Sequence, residues 1–225
     1  MSDIFNDLYN QYNNFKNGLK GSGGEFFTEL QLKNLFNNNT KIFRNAYVTA
    51  NGKDYSQIDL IILHEKGIFV LECKNYGGWI FGSNESKNWT QMFSKTKKYS
   101  FFNPVMQNRT HIKTLAQHLQ ISDKCFVSYI VFGERCEFKK IPEPTLNIKV
   151  LRQDTLAQTL KNDIEARPIY FTSETMAQLE YKLNKLCNVS KEVKEKHIAD
   201  IKKLHPDEHK KEPVGTSFLS SFLKF

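Results

Sequence analysis

Asp59, Glu72 and Lys74 punctuate the two apolar runs of Ser56-Gln-Ile-Asp-Leu-Ile-Ile-Leu-His-Glu-Lys-Gly-Ile-Phe-Val-Leu-Glu-Cys-Lys-Asn75, and Glu65 and Lys66 lie between those runs. Read as two strands around a turn, the period of two puts Gln57, Asp59, Ile61 and Leu63 on one face and Ile58, Leu60 and Ile62 on the other. On the second strand Ile68, Val70, Glu72 and Lys74 share a face opposite Phe69, Leu71 and Cys73. Both faces are apolar near the turn, which describes central strands covered on both sides. A four-residue loop, His64 to Gly67 with Gly67 free to take φ > 0, pairs Leu63 with Ile68, Ile61 with Val70, Asp59 with Glu72 and Gln57 with Lys74. A three-residue loop would send Asp59 to the opposite face, and the apolar pattern does not choose between them.

The chemistry chooses the first register. Opposed carboxylates with Cβ atoms about 5 Å apart repel, and at the end of a buried face unpaired charge is costly. A divalent cation is the simplest remedy, since Mg²⁺ or Mn²⁺ takes carboxylate oxygens and completes its shell with water and a phosphate. Lys74 would point at the same water. On a solvated sheet Glu-x-Lys is only a surface ion pair worth under about 1 kcal/mol, but these strands lack the polar face such a sheet requires.

The elements that must position this hairpin follow from the rest of the pattern. A helix is expected from Glu25, with Phe26, Phe27, Leu30, Leu32, Leu35 and Phe36 in apolar spacing and Asn37-Asn38-Asn39 as its stop. Lys41 to Ala50 reads as a strand, Gly78 to Gly82 as a weaker one. Asn103-Pro104 reads as an N-cap with proline at the first helical position, opening a helix to about Leu119. Its apolar stripe is Val105, Ile112, Leu115, Ala116 and Leu119; Gln107, His111, Thr114 and His118 form a polar one. Strands at Lys124 to Phe132 and Asn147 to Leu151, and helices at Asp154 to Lys161 and Ser173 to Cys187, complete the pattern. The expected fold is α/β (α+β), a mixed central sheet flanked by helices. Residues 1–21 form an extension, 22–187 the domain, and 188–225 a charge-dense tail expected to be loosely structured up to Phe218.

Charge distribution suggests the partner. The 225-residue chain carries a formal net charge of +8, and from Asn88 to Ser122 there is no Asp or Glu. That stretch holds Lys95, Lys97, Lys98, Arg109 and Lys113 among Trp89, Phe93, Tyr99, Phe101 and Phe102. Cations neutralise phosphates and rings stack on bases, so the mixture suits a nucleic-acid groove; the competing reading is a solvated face beside core aromatics. The four cysteines form no close pair, so a zinc or redox motif is not indicated. There is no long apolar run and no signal-like N-terminus, and a cytoplasmic protein without a transmembrane segment is expected.

Gly24-Glu25, Ser56-Gln57-Ile58-Asp59, Phe69-Val70-Leu71-Glu72-Cys73-Lys74-Asn75-Tyr76, Gly78-Trp79-Ile80-Phe81-Gly82, Trp89-Thr90-Gln91 and Asn103-Pro104-Val105-Met106-Gln107-Asn108, in this order, resemble the nuclease-related domain (NERD) family over about residues 22 to 120. The resemblance implies a restriction-endonuclease-like core of the PD-(D/E)xK superfamily and Mg²⁺- or Mn²⁺-dependent hydrolysis of phosphodiester bonds, in DNA rather than RNA. Ile58 replaces the proline of the superfamily's name. The resemblance assigns Glu25, Asp59, Glu72 and Lys74 to catalytic positions, with Gln57 beside them. The residue chemistry agrees: Asp59, Glu72 and the Cys73 carbonyl would hold the cation. Lys74 would orient or deprotonate water, or neutralise the transition state. Glu25 would reach the metal through water or complement its helix dipole. Lys95, Lys97, Lys98, Gln107 and Arg109 are the expected nucleic-acid contacts, and no small-molecule cofactor is implied. The alternatives are a catalytically silent nucleic-acid-binding module, against which the intact acid–acid–lysine set argues, and an adaptor acting through Phe218, Phe222 and Phe225.

Overall fold

Strands that are apolar on both faces need cover on both faces, and the computed structural model, which describes residues 40–204, supplies it. Helices α1 (Pro104–Leu119), α2 (Gln153–Ala166), α3 (Ser173–Cys187) and α4 (Lys191–Leu204) surround two mixed sheets in an α+β fold. The larger sheet has the order β1 (Lys41–Thr49), β2 (Tyr55–His64), β3 (Gly67–Lys74), β7 (Phe126–Phe132), β9 (Ile148–Arg152). The first three strands are antiparallel, and β3, β7 and β9 run parallel. Ile61, Leu63, Ile68 and Val70 pack under α1 and α3 through Leu115, Leu119, Leu179 and Leu183. Leu60, Ile62, Phe69 and Leu71 pack on the other face against Leu156, Leu160 and Ile164 of α2. The expected helix at Glu25 and the aromatic tail lie outside the described residues.

The hairpin register is the expected one, with Ile61 opposite Val70 and Leu63 opposite Ile68. Its loop is shorter than expected. His64 and Gly67 are themselves paired, leaving only Glu65 and Lys66 at the turn, where Lys66 N–H donates to His64 Nδ1 at 3.1 Å. Gly67 has φ +142°, and a Cβ there would lie 2.9 Å from the Cys125 carbonyl oxygen, so both backbone and neighbour demand glycine.

A second sheet was not legible as such. It is β6 (Lys98–Phe102), β5 (Asn88–Met92), β4 (Gly78–Phe81), β8 (Cys136–Lys140), in that order. Its inner face places Ile80, Trp89, Phe101, Cys136 and Phe138 against Ile130 and Phe132 of β7 and Val105 of α1. Trp89 and Phe132 stack with parallel rings, and Gly82 makes room: a Cβ there would fall 2.1 Å from the indole. The tail expectation is also corrected, because Lys191–Leu204 is helical. His197 on α4 is buried, its Nδ1 lying 2.7 Å from the Tyr55 carbonyl oxygen and its ring edge-on to Tyr47. No helix among the described residues is long and apolar enough to cross a membrane.

Candidate active site

β3 ends at the site. After five buried residues, Glu72 stays buried while Lys74 emerges from the same face beside the N-terminal half of α1. Lys74 Nζ lies 2.7 Å from Glu72 Oε1 and donates to Gln107 Oε1 at 3.2 Å. Glu72 Oε2, buried and without a hydrogen bond among the described residues, is 3.5 Å from His111 Nδ1, which likewise has none there. Gln107 and His111 are one helical turn apart, so a single face of α1 presents both to the carboxylate and lysine. Burial alone would lower the Lys74 pKa, but the charges of Glu72, Tyr76 and Asp59 outweigh it and leave the ammonium well above its usual value. Burial holds His111 below its usual value despite Glu72, so the imidazole is neutral near pH 7.

Two asparagines fix α1 at this height. Asn103 caps the helix, its Oδ1 accepting from Val105 N–H at 2.9 Å, while its Nδ2 donates to the Ser83 and Ser86 carbonyls at 3.0 and 2.8 Å. One side chain thus ties the second sheet's β4–β5 loop to the start of α1. Asn108 Nδ2 donates to the Val70 carbonyl and to Ser128 Oγ, both at 2.9 Å, pinning the helix to β3 and β7 two residues before Glu72.

Asp59 is placed by a break in periodicity. Ile61 and Phe43 share the α1/α3 face with Ile58, Ala46 and Val48, so alternation changes phase on both β1 and β2 at one level. Arg44 pairs with Leu60 and Ala46 with Ile58; between them Asn45 adopts φ +51°. The β2–β3 ladder ends at Leu60–Leu71, so the expected Asp59–Glu72 and Gln57–Lys74 pairs are not formed. Instead Asp59 Oδ2 accepts the Cys73 N–H at 2.7 Å, and the carboxylate takes the place of a ladder partner.

The other expected site residues are divided. Gln57 turns to β1, its Nε2 donating to Asn45 Oδ1 at 2.6 Å and its Oε1 accepting from Tyr47 O–H at 3.3 Å. Glu25 lies outside the described residues. Lys95, Lys97 and Lys98 are exposed at the β5–β6 turn, Lys97 Nζ 5.4 Å from the Phe93 ring centre. Arg109 is exposed about 200° around α1 from Gln107, in a shallow hollow with Lys113, Gln117, Gln120 and Asp123, so it does not join the catalytic face. Of the interleaved rings, Trp89 is core and Phe101 half-buried against it, whereas Phe93, Tyr99 and Phe102 are exposed. His118 is structural, its Nε2 2.8 Å from the Thr49 carbonyl oxygen. The sequence pattern places His111 only on a polar stripe and gives Asn108 no role of its own. Their spacing, one and four residues after Gln107, was the available signal.

Residues 20–133 match the model of the nuclease-related domain. An uncharacterized protein of Bacillus anthracis is 30% identical over 179 residues, covering 80% of this chain and 82% of its own. Structural likenesses are slight. A crystal structure of a protein of unknown function, AF1548, covers 82% of this chain and 97% of its own at 12% identity and a TM-score of 0.35. Pyrococcus furiosus SfsA in complex with Ca²⁺ covers 64% of this chain and 52% of its own at 20% identity and a TM-score of 0.25. Neither likeness carries weight beside the match that spans half the chain and includes Asp59, Glu72, Lys74 and Gln107: the chain belongs to the nuclease-related domain (NERD) family.

Proposed function

We propose that this protein is a cytosolic, divalent-metal-dependent nuclease that hydrolyses phosphodiester bonds, in DNA rather than RNA, at the junction of β2, β3 and α1. The observation that carries the reading is Glu72. A carboxylate 3% exposed gives one oxygen to Lys74 and leaves the other buried without a hydrogen bond among the described residues, an arrangement that folding alone does not favour.

The donor chemistry fits a hard cation. Asp59 and Glu72 with the Cys73 carbonyl would hold Mg²⁺ or Mn²⁺, and such an ion supplies a Lewis acid and an activated water when bound. Among the described residues no three His, Cys, Asp or Glu side chains converge as a metal cluster; the further acid assigned by family, Glu25, lies outside them. Lys74 acts as a positioned charge. An ammonium has three N–H donors; Glu72 and Gln107 take two, and the third suits a phosphate oxygen that gains charge in the transition state. Gln107 orients that ammonium, and Asn108 and Asn103 hold the helix that carries Gln107.

Incubation of purified protein with linear, circular and single-stranded DNA, with Mg²⁺, with Mn²⁺ and with chelator, tests the proposal. Cleavage should require the metal and disappear in Asp59→Ala and Lys74→Ala proteins of unchanged circular dichroism. Wild-type rates in either variant, free of contaminating nuclease, would remove the mechanism.

A further inference from the structure

The second sheet has an outer face that no described element covers. Register assigns its residues. One row across the sheet is Lys98, Met92, Trp79, Glu137; the next is Ser100, Thr90, Phe81, Lys140; Phe102 and Asn88 form a third. All of these are exposed or half-buried, Trp79 at 36% and Phe102 at 46%. Their neighbours in sequence, Ile80, Trp89, Phe101 and Cys136, point the other way into the core. The alternation leaves a tryptophan and a phenylalanine on solvent when the same strands had an apolar side available for them.

The charge around these rings is mostly positive, with Glu137 the acid that pairs across from Trp79. Lys95, Lys97 and Lys98 flank the β5–β6 turn, and Lys139 and Lys140 end β8. Lys139 Nζ lies 5.4 Å from the Trp79 ring centre. The acid of the three rows, Glu137, is ion-paired with Lys139. A polyanion matches this charge. Exposed rings discriminate further, because an unpaired base offers its π-face for stacking whereas a duplex hides it between neighbours.

From this we infer that the outer face of the second sheet binds single-stranded nucleic acid, with Trp79 and Phe102 stacking on bases and Lys98, Lys139 and Lys140 meeting phosphates. The inference rests on the nuclease reading for the class of polymer and adds its strand state. The platform adjoins the proposed centre in the chain, since Gly78 opens β4 four residues after Lys74, and Asn103 ties the β4–β5 loop to α1.

The chain has two tryptophans, and Trp89 is buried beneath the sheet, so emission that responds to a bound base reports Trp79. The full chain carrying Glu72→Gln, which binds without cutting, is titrated in chelator and low salt with an oligothymidylate of about twenty nucleotides and with a duplex of equal length. The oligothymidylate should quench Trp79 and the duplex should not. Trp79→Phe should abolish the quench and keep the affinity. Trp79→Ala and Phe102→Ala should each weaken single-strand binding at least about fivefold while Trp89 emission reports an intact core. Single-strand binding that leaves Trp79 emission unchanged, or ring variants that bind like the parent, would overturn this inference and leave the nuclease proposal standing. Equal quenching by the duplex would also overturn it. A protein that binds neither polymer would overturn this inference, and cleavage with Mg²⁺ or Mn²⁺ would decide the nuclease proposal separately. A change in sedimentation of Trp79→Ala with unchanged nucleic-acid affinity would show the face to be a self-association surface, and the inference would fall.

Discussion

Lys74→Met separates a designed ion pair from a chance contact without any appeal to activity. Glu72 is 3% exposed, and among the described residues its one close cation is Lys74 Nζ at 2.7 Å; the neutral His111 at 3.5 Å makes no hydrogen bond to it. Removing the ammonium strands a buried carboxylate, and breaking a buried pair from one side costs about 3–5 kcal/mol. The Lys74 side chain is 17% exposed, so water reaches the edge of the site and the lower end applies, about 3 kcal/mol. For a chain of this size that lowers the melting temperature by roughly 6–12 °C. Glu72→Gln alone leaves a lysine that can turn toward solvent and should cost about 1 kcal/mol. The double variant has no buried charge to strand, so it should regain about 2 kcal/mol relative to Lys74→Met. Urea unfolding followed by circular dichroism at pH 7, in chelator so that metal binding contributes nothing, measures all four proteins. Equal slopes would confirm that the differences are in stability. If the two losses add within about 0.5 kcal/mol, or if the double variant is less stable than Lys74→Met, the pair carries no coupling and Glu72 is not held by Lys74.

Three further outcomes are expected. Nucleic-acid affinity should fall steeply with salt, with a log–log slope near −0.7 for each phosphate contacted on a single strand; reversing Lys95, Lys97 and Lys98 together should flatten that slope by about two units, and a salt-independent affinity would show that these lysines meet no phosphate. Gly67→Ala should destabilise by about 1–3 kcal/mol, because φ +142° and the 2.9 Å approach to the Cys125 carbonyl both oppose a methyl group; unchanged urea midpoints would refute the turn geometry. Burial holds His197 below the usual histidine pKa despite its carbonyl partner and Asp200, so the unfolded chain protonates first: stability is whole above about pH 6.5 and falls as pH declines through the folded-state value. Protection of the Lys191–Leu204 amides, taken relative to their intrinsic exchange at each pH, should fall on that descent in the wild type and show a weaker pH dependence in His197→Gln.

What could be read from the chain was whatever two periods record. The β2–β3 register follows from apolar alternation plus the cost of placing Asp59 and Glu72 badly, and Ile61–Val70 and Leu63–Ile68 pair as that argument requires. Asn103-Pro104 opens α1 because cap and proline chemistry are local, and Ser173–Cys187 is helical over the range its pattern indicates. The second sheet escaped because its strands β5 and β6 are five residues each and mix lysine with aromatics. Trp89 and Phe101 therefore read as part of a binding groove, when they alternate inward to Phe132. Helix α4 escaped for a related reason: its first turns are dense in lysine and glutamate, and Val193, His197 and Ile198 are shielded among them.

The failure at Asp59 is of another kind and carries more meaning. Regular alternation would have set Asp59 directly across from Glu72 as a ladder pair, two like charges in the closest contact a sheet allows. Asn45 in the left-handed region and the coordinated change of phase on β1 and β2 end the ladder one residue earlier. The carboxylate then satisfies the Cys73 N–H and stays near enough to Lys74 to raise its pKa, without pairing with Glu72. An acid can be kept at such a level of a sheet only by interrupting the pattern from which its position would be inferred. The same logic applies on α1, where Asn108 and His111 occupy buried positions that a purely packing helix would give to leucine. Departures from local consistency gather at the end of β3 and on the helix face above it, which is where the chemistry was expected.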